Sequence, residues 1–142
     1  MSVANLISGI NHIALNVENF EKSKAFYCSI LGMEVLYEDA MHVFLKVGAG
    51  KNFGILALLG QPKVGPKPVD PSQRQGNTYN HFGFRAQNSQ DVFKFAEYLK
   101  EKEVKIIKGP YERKDGSSVY FLDPDGYTLE FLYLIEDPSA YV

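Results

Sequence analysis

Three side chains in this sequence are of types that together hold a divalent metal: His12, His81 and Glu130. His12 and His81 each follow an asparagine, Asn11 and Asn80, and stand 69 positions apart. Glu130 interrupts an apolar run, TLEFLYL, where a carboxylate buried without a partner is costly. A cation is its natural partner. Two imidazoles and one carboxylate form the facial set that suits a divalent transition metal with positions left open for substrate. A lone strand histidine is more often a core or surface residue than a ligand. What raises this pair above that reading is their equivalent placement in a repeat.

The elements that must position these residues repeat with them. Asn11-His12 opens the alternating stretch INHIALNV and Asn80-His81 opens YNHFGFRA, both with the period of two that predicts strands. Each is followed by a polar turn, Glu18-Asn19 or Gln87-Asn88-Ser89, whose Asn and Ser are good helix N-caps. Helical spacing comes next: Phe26 and Ile30 one turn apart with Phe20 and Tyr27 nearby, then Phe95 and Leu99 with Val92 and Ala96. Short β-type runs follow each helix, MEVLYE, HVFLKVG and FGILALL, then VKIIKG, SVYFL and YTLEFLYL. The unit is βαβββ, twice.

The expected fold is therefore α+β, two βαβββ modules forming a curved mixed sheet with helices outside, in one domain. Module one spans about 9–60, a linker 61–78, and module two about 79–135. The stretch between the copies, GQPKVGPKPVDPSQRQGNT, holds four prolines and three glycines without periodicity. One helix covers only one sheet face, so each module leaves the other face bare. If Ile13, Leu15 and Val17 pack under the first helix, His12, Ala14 and Asn16 point the other way. Phe82, Phe84 and Ala86 under the second helix likewise leave His81, Gly83 and Arg85 open, and the row Leu129, Phe131, Tyr133 puts Thr128, Glu130 and Leu132 opposite.

Composition narrows the partners. Lys and Arg number 15 against 17 Asp and Glu, a net charge of −2 that offers no general attraction for nucleic acid or anionic lipid. The opening MSVANLISGI has no Lys or Arg, and no stretch nears the roughly 20 apolar residues of a membrane span. The expected address is the cytoplasm, with which the single cysteine, Cys28, agrees. Cys28 reads as an inert helix residue.

GINHIALNV with AFYCSILGMEV, the second-copy TYNHFGFRA and the closing VYFLDPDGYTLEF resemble the vicinal oxygen chelate superfamily. That superfamily includes glyoxalase I, type I extradiol dioxygenases, fosfomycin resistance proteins, methylmalonyl-CoA epimerase and bleomycin-binding proteins. The resemblance covers about Gly9 to Leu134 and implies ligands from the first, fifth and eighth strands, again His12, His81 and Glu130. It implies a tight turn at Asp123 to Gly126 into the last strand, for which Pro and Gly are suited. It also implies a homodimer, in which the first-strand ligand often comes from one subunit and the other two from its partner.

Departures from the family pattern narrow the reaction. Glyoxalase I and the epimerase carry a fourth ligand, Glu or Gln, in the fourth strand, where this chain has Ala57, or Leu56 if the register slips. Neither moves a proton, which argues against isomerisation. Fosfomycin-modifying enzymes share the three ligands and the tyrosine ten residues before the glutamate, here Tyr120, which is expected to donate a hydrogen bond to a metal-bound oxyanion or to serve as a core aromatic. Their phosphonate-holding Lys and Arg have no evident counterpart: Pro110 stands at the expected Lys, and no Arg follows Glu130. Extradiol dioxygenases match at Val119 to Glu130, but Tyr111, Glu112 and Arg113 stand where they carry a histidine. His42, the first residue of a predicted strand, is the remaining histidine and reads as a surface or core residue ahead of a proton carrier.

The reading favoured by the sequence is a metal-dependent enzyme that chelates two oxygens of a small substrate, extradiol-dioxygenase-like with Fe(II). The alternatives are a glyoxalase-type lyase or fosfomycin-type transferase using Mn(II), Ni(II) or Zn(II), and a bleomycin-type binding protein without chemistry. One divalent metal per site is expected.

Overall fold

Asparagine side chains start both helices, again 69 residues apart. Asn19 Oδ1 accepts the Lys22 backbone N–H at 3.0 Å and Asn88 Oδ1 accepts that of Asp91 at 2.9 Å, satisfying donors that the first helical turn leaves unpaired. The computed structural model describes residue 6 and residues 10–51, 53–60 and 80–134. The expected linker, 61–78, lies outside the described residues, as does residue 135. Strand β1 (His12–Val17) leads to helix α1 (Phe20–Ala25), which continues as a π-helical segment (Phe26–Ile30), then β2 (Glu34–Glu38), β3 (His42–Val47) and β4 (Gly54–Gly60). The second copy is β5 (Phe82–Arg85), α2 (Ser89–Glu101), β6 (Ile106–Arg113), β7 (Gly116–Leu122) and β8 (Thr128–Leu134).

The chain divides into two compact units, residues 1–67 and 68–142. Each carries a four-stranded mixed sheet, ordered β1-β4-β3-β2 in the first and β5-β8-β7-β6 in the second. In both, the opening strand runs parallel to the last and the remaining pairs are antiparallel. This is the α+β fold expected from the sequence. Among the described residues no helix is long and apolar enough to cross a membrane.

The face assignments hold in both copies. In the first unit Leu15, Val17, Val43, Leu45, Leu56 and Leu58 are buried. In the second, Ala86, Val92, Ala96 and Val119 form a cluster with Phe95, Ile106, Phe131 and Tyr133 packed against it. Phe95 on α2 meets Phe131 on β8 with ring centroids 4.4 Å apart, so the odd-numbered row of β8 lies under the helix and Glu130 on the opposite face.

One local expectation fails. The α-helical spacing of Phe26 and Ile30 is replaced by a wider turn, in which the Leu31 N–H donates to the Phe26 carbonyl five residues back at 3.0 Å. The wider turn accommodates two consecutive buried rings, Phe26 and Tyr27, edge to face at 5.1 Å. Cys28 sits half-buried in that segment.

Gly116 opens β7 against the end of β8, with φ +152° and the space for a Cβ already filled: an added carbon would lie 1.8 Å from the Tyr133 carbonyl oxygen. A backbone oxygen cannot swing away as a side chain can. Gly116→Ala is expected to lower unfolding free energy by about 1–3 kcal/mol, toward the upper end, by forcing the strands apart. Denaturant unfolding checks this, and an unchanged midpoint contradicts it.

Candidate metal site

Glu130 sits mid-strand in β8 with only 4% of its surface exposed, paired in register with Gly83 of β5 on one side and Tyr120 of β7 on the other. Its two carboxylate oxygens have different surroundings. Oε2 lies 3.0 Å from His81 Nε2. Oε1 accepts a hydrogen bond from the Ser118 hydroxyl and stands 3.5 Å from Arg113 Nη1. Arg113 in turn is held by Asp115, Nε to Oδ1 at 2.9 Å and Nη2 to Oδ2 at 3.0 Å, the two-pronged pairing that suits a planar guanidinium.

His81 immediately precedes β5, and its other ring nitrogen, Nδ1, lies 2.5 Å from Asn80 Oδ1. An amide oxygen only accepts, so Nδ1 carries the hydrogen. Nε2 then faces a carboxylate oxygen, an arrangement that needs a proton or a cation between the two atoms. His12, the first residue of β1, is oriented in the same way by Asn11 Oδ1, 3.0 Å from its Nδ1. The Asn-His pairing in both copies was the sequence signal for this orientation. Within the second unit, an imidazole with Nδ1 occupied by an amide oxygen faces one carboxylate oxygen, donors of the kind that suit a divalent ion.

His81 and Glu130 are brought together in the second unit, and His12 belongs to the first. Among the described residues, no three of His, Cys, Asp and Glu form a ready ligand group. The first unit confirms the fourth-strand register: Ala57 pairs with Ala14 and Phe44 as Glu130 pairs with Gly83 and Tyr120, so Ala57, not Leu56, is the counterpart of Glu130. A Cβ at Gly83 would meet Leu132 Cδ2 at 2.7 Å and Glu130 Cβ at 3.6 Å, so glycine here makes room for the Leu132 side chain next to Glu130.

Tyr120 stands edge-on to His81, ring centroids 5.2 Å apart, on the same open face. Burial, followed by hydrogen bonding and charge repulsion from Glu130, pushes its phenol up to about 12. Next to it the structure supplies what the sequence did not reveal. Lys108 pairs in register with Tyr120, its Nζ lying 5.9 Å from that ring and 5.3 Å from the ring of Tyr111. With Arg113 near Glu130, the open face of the second sheet has two cations by the site, neither at the position of Pro110. Two register shifts in β6, on either side of Lys108, put them there.

His42 begins β3 as expected and is engaged locally. Its Nδ1 lies 2.8 Å from Asp39 Oδ1, which also accepts the backbone N–H groups of Met41 and His42, while Tyr37 donates to Oδ2. These bonds, the Met41 N–H foremost, hold the Asp39 carboxyl down to about 2 and fasten the β2–β3 turn. The Asp123-Pro124-Asp125-Gly126 turn is also local. Asp123 Oδ1 accepts the N–H groups of Asp125 and Tyr127, both at 2.9 Å, and Gly126 takes φ +82°.

Residues 9–131 match the family model described as the Glyoxalase/Bleomycin resistance protein/Dioxygenase superfamily. The chain is 34% identical over 126 residues to metallothiol transferase FosB of Staphylococcus haemolyticus (strain JCSC1435), covering 88% of this chain and 83% of that protein. It is 32% identical over 136 residues to a manganese-dependent 2,3-dihydroxybiphenyl 1,2-dioxygenase of Geobacillus genomosp. 3, covering 94% of this chain and 39% of that protein. The solved structure of a glyoxalase/dioxygenase from Nostoc punctiforme is similar with a TM-score of 0.74 at 28% identity, covering 96% of this chain and 97% of that one.

The raised Tyr120 phenol leads to a pH prediction. Its folded value lies above the ordinary 10.0, so its stabilising contribution is complete below pH 10 and falls away as pH rises from 10 through about 12. In the metal-free protein, ultraviolet titration of wild type minus Tyr120→Phe is expected to show no tyrosinate signal below about pH 11. A difference signal with its midpoint at 10 or lower contradicts the burial and the bond to Glu130.

Proposed function

The chain belongs to the glyoxalase/bleomycin resistance protein/dioxygenase superfamily, the vicinal oxygen chelate proteins, and from that membership we propose an enzyme of the metallothiol transferase type. In this reading His12, His81 and Glu130 hold one divalent ion, and the substrate is a small electrophile with an anionic group. The observation that carries the choice is the cation Lys108 beside Tyr120, Arg113 being committed to Asp115 and Glu130. It answers the objection that an anion-bearing substrate would find no basic partner here.

When bound, the divalent ion supplies a Lewis acid that stabilises negative charge on a substrate oxygen. Asn80 and Asn11 keep each histidine's Nδ1 protonated and its Nε2 available. Lys108 binds the anionic group of the electrophile. As the sulfur of a thiolate, its proton already given up to solvent, bonds to carbon, the carbon–oxygen bond opens with its electron pair left on oxygen, where the Tyr120 hydroxyl donates a hydrogen bond until water protonates it.

A second reading, an extradiol dioxygenase, is supported by the two-histidine, one-carboxylate set without a fourth ligand at Ala57 and by the similarity to the Geobacillus dioxygenase. The two readings predict different co-substrates. Purified protein is expected to bind about one divalent ion per chain, with binding abolished by His12→Ala, His81→Ala or Glu130→Ala. Thiol consumption with fosfomycin is expected to require that ion, and Lys108→Met is expected to lower kcat/KM by about tenfold or more. Oxygen uptake with catechols, in the absence of thiol consumption, overturns the transferase reading. Unchanged metal content in two of the ligand variants overturns the site.

The reading includes a homodimer, because a symmetric partner lets two sites be built from the same surfaces. The exposed Val35, Leu36, Tyr37 and Met41 on and beside β2 offer apolar area for one. Mixing a His12→Ala chain with a Glu130→Ala chain under subunit exchange is expected to restore metal binding in part. No recovery despite confirmed exchange rules out sites shared between chains.

A further inference from the structure

The two oxygens of Glu130 are not equivalent, and the difference bears on how many coordination positions a metal there leaves open. Oε2 faces His81 Nε2 at 3.0 Å. Oε1 is taken by the Ser118 hydroxyl and by Arg113 Nη1 at 3.5 Å, and the Tyr120 hydroxyl also bonds the carboxylate. Ser118 is fully buried one strand over on β7, and the chain direction brings its Oγ to Glu130 diagonally, since Ser118 itself pairs with Leu132. Arg113 cannot drift, because Asp115 grips it in two places.

A free carboxylate binds a divalent ion through one oxygen or through both. We propose that Ser118, with Arg113 behind it, is a positioning residue that restricts Glu130 to metal binding through Oε2 alone. This inference rests on the metal site proposed above. Its functional content is the count of open positions. Ala57 contributes no fourth ligand, and a Glu130 limited to one oxygen leaves one more position for the substrate, which chelation through two neighbouring substrate oxygens requires. Loss of the Ser118 hydroxyl frees Oε1 to compete for that position.

Cobalt(II) substitution tests this, because visible absorption of the ion weakens as its coordination number rises. Ser118→Ala loaded with Co(II) is expected to absorb several-fold less than wild type, and Ser118→Thr, which keeps the hydroxyl, is expected to restore the wild-type intensity. Arg113→Gln is expected to move the absorption in the same direction by a smaller amount, and gives an independent reading from a half-exposed position if the buried variant folds poorly. Thermal melting recorded alongside separates a merely structural hydroxyl, which would lower Tm and leave the spectrum unmoved. Wild-type absorption in both Ser118→Ala and Arg113→Gln overturns the proposal. Failure of the wild-type protein itself to bind Co(II) overturns the metal site as well, and so is told apart from failure of the positioning role alone.

Discussion

A carboxylate placed in the middle of an apolar strand and almost wholly withdrawn from water demands partners, since an ionised group buried alone costs several kcal/mol even after relaxation. Glu130 is that group, and much of the second unit is arranged around it. The parallel pairing of β5 with β8 puts His81 within reach of one oxygen, and the antiparallel pairing of β7 delivers Ser118 to the other. Gly83 opposite lets the Leu132 side chain pack where a side chain of its own would clash. The Asp123 turn sets where β8 starts, and with it which residues of that strand face the helix. A shift of one residue there would put Phe131 on the open face and Glu130 under α2.

Most of this was legible in the sequence for a reason that is also physical. Strand periodicity and the 69-residue repeat are read independently, and they agreed on which face His12, His81 and Glu130 share within their own sheets. The asparagine caps were legible because short polar side chains start helices by a local hydrogen bond. Residues set by departures from regularity were not legible. Lys108 and Arg113 come to the site through β6, whose register against β7 shifts twice, whereas the family pattern put the expected lysine at Pro110. The π-helical turn at Phe26 was hidden because α-helical spacing assumes one hydrogen-bond pattern throughout. Ser118 gave no signal at all, since a serine in a strand usually means only a tolerated hydroxyl.

The two modules share a backbone plan and differ in what they place on it. Where the second unit has Gly83, Glu130 and Tyr120 in one row across three strands, the first has Ala14, Ala57 and Phe44. His42 occupies the place of Ser118, and Tyr37 that of Lys108, by the same pairing. The first copy keeps its histidine with the asparagine that orients it, and replaces the carboxylate, the phenol and the cation with groups that neither bind a metal nor carry charge. Its polar cluster, Asp39 with Tyr37 and His42, fastens a turn instead.

That division has a consequence for how such a site tolerates change. Concentrating charge in one copy means that a single buried carboxylate must be satisfied, by groups drawn from β5, β6 and β7, while the other copy's open row stays apolar and free of desolvation cost. A second carboxylate at Ala57 would meet Ala14 and Phe44 across its strand pairs, and the residue in the place of Ser118, His42, already has Nδ1 engaged by Asp39. The asymmetry of the duplicated fold therefore bears on the proposed site: each copy keeps a histidine oriented by its asparagine, and the partners of a buried charge, assembled only in the second, allow one glutamate.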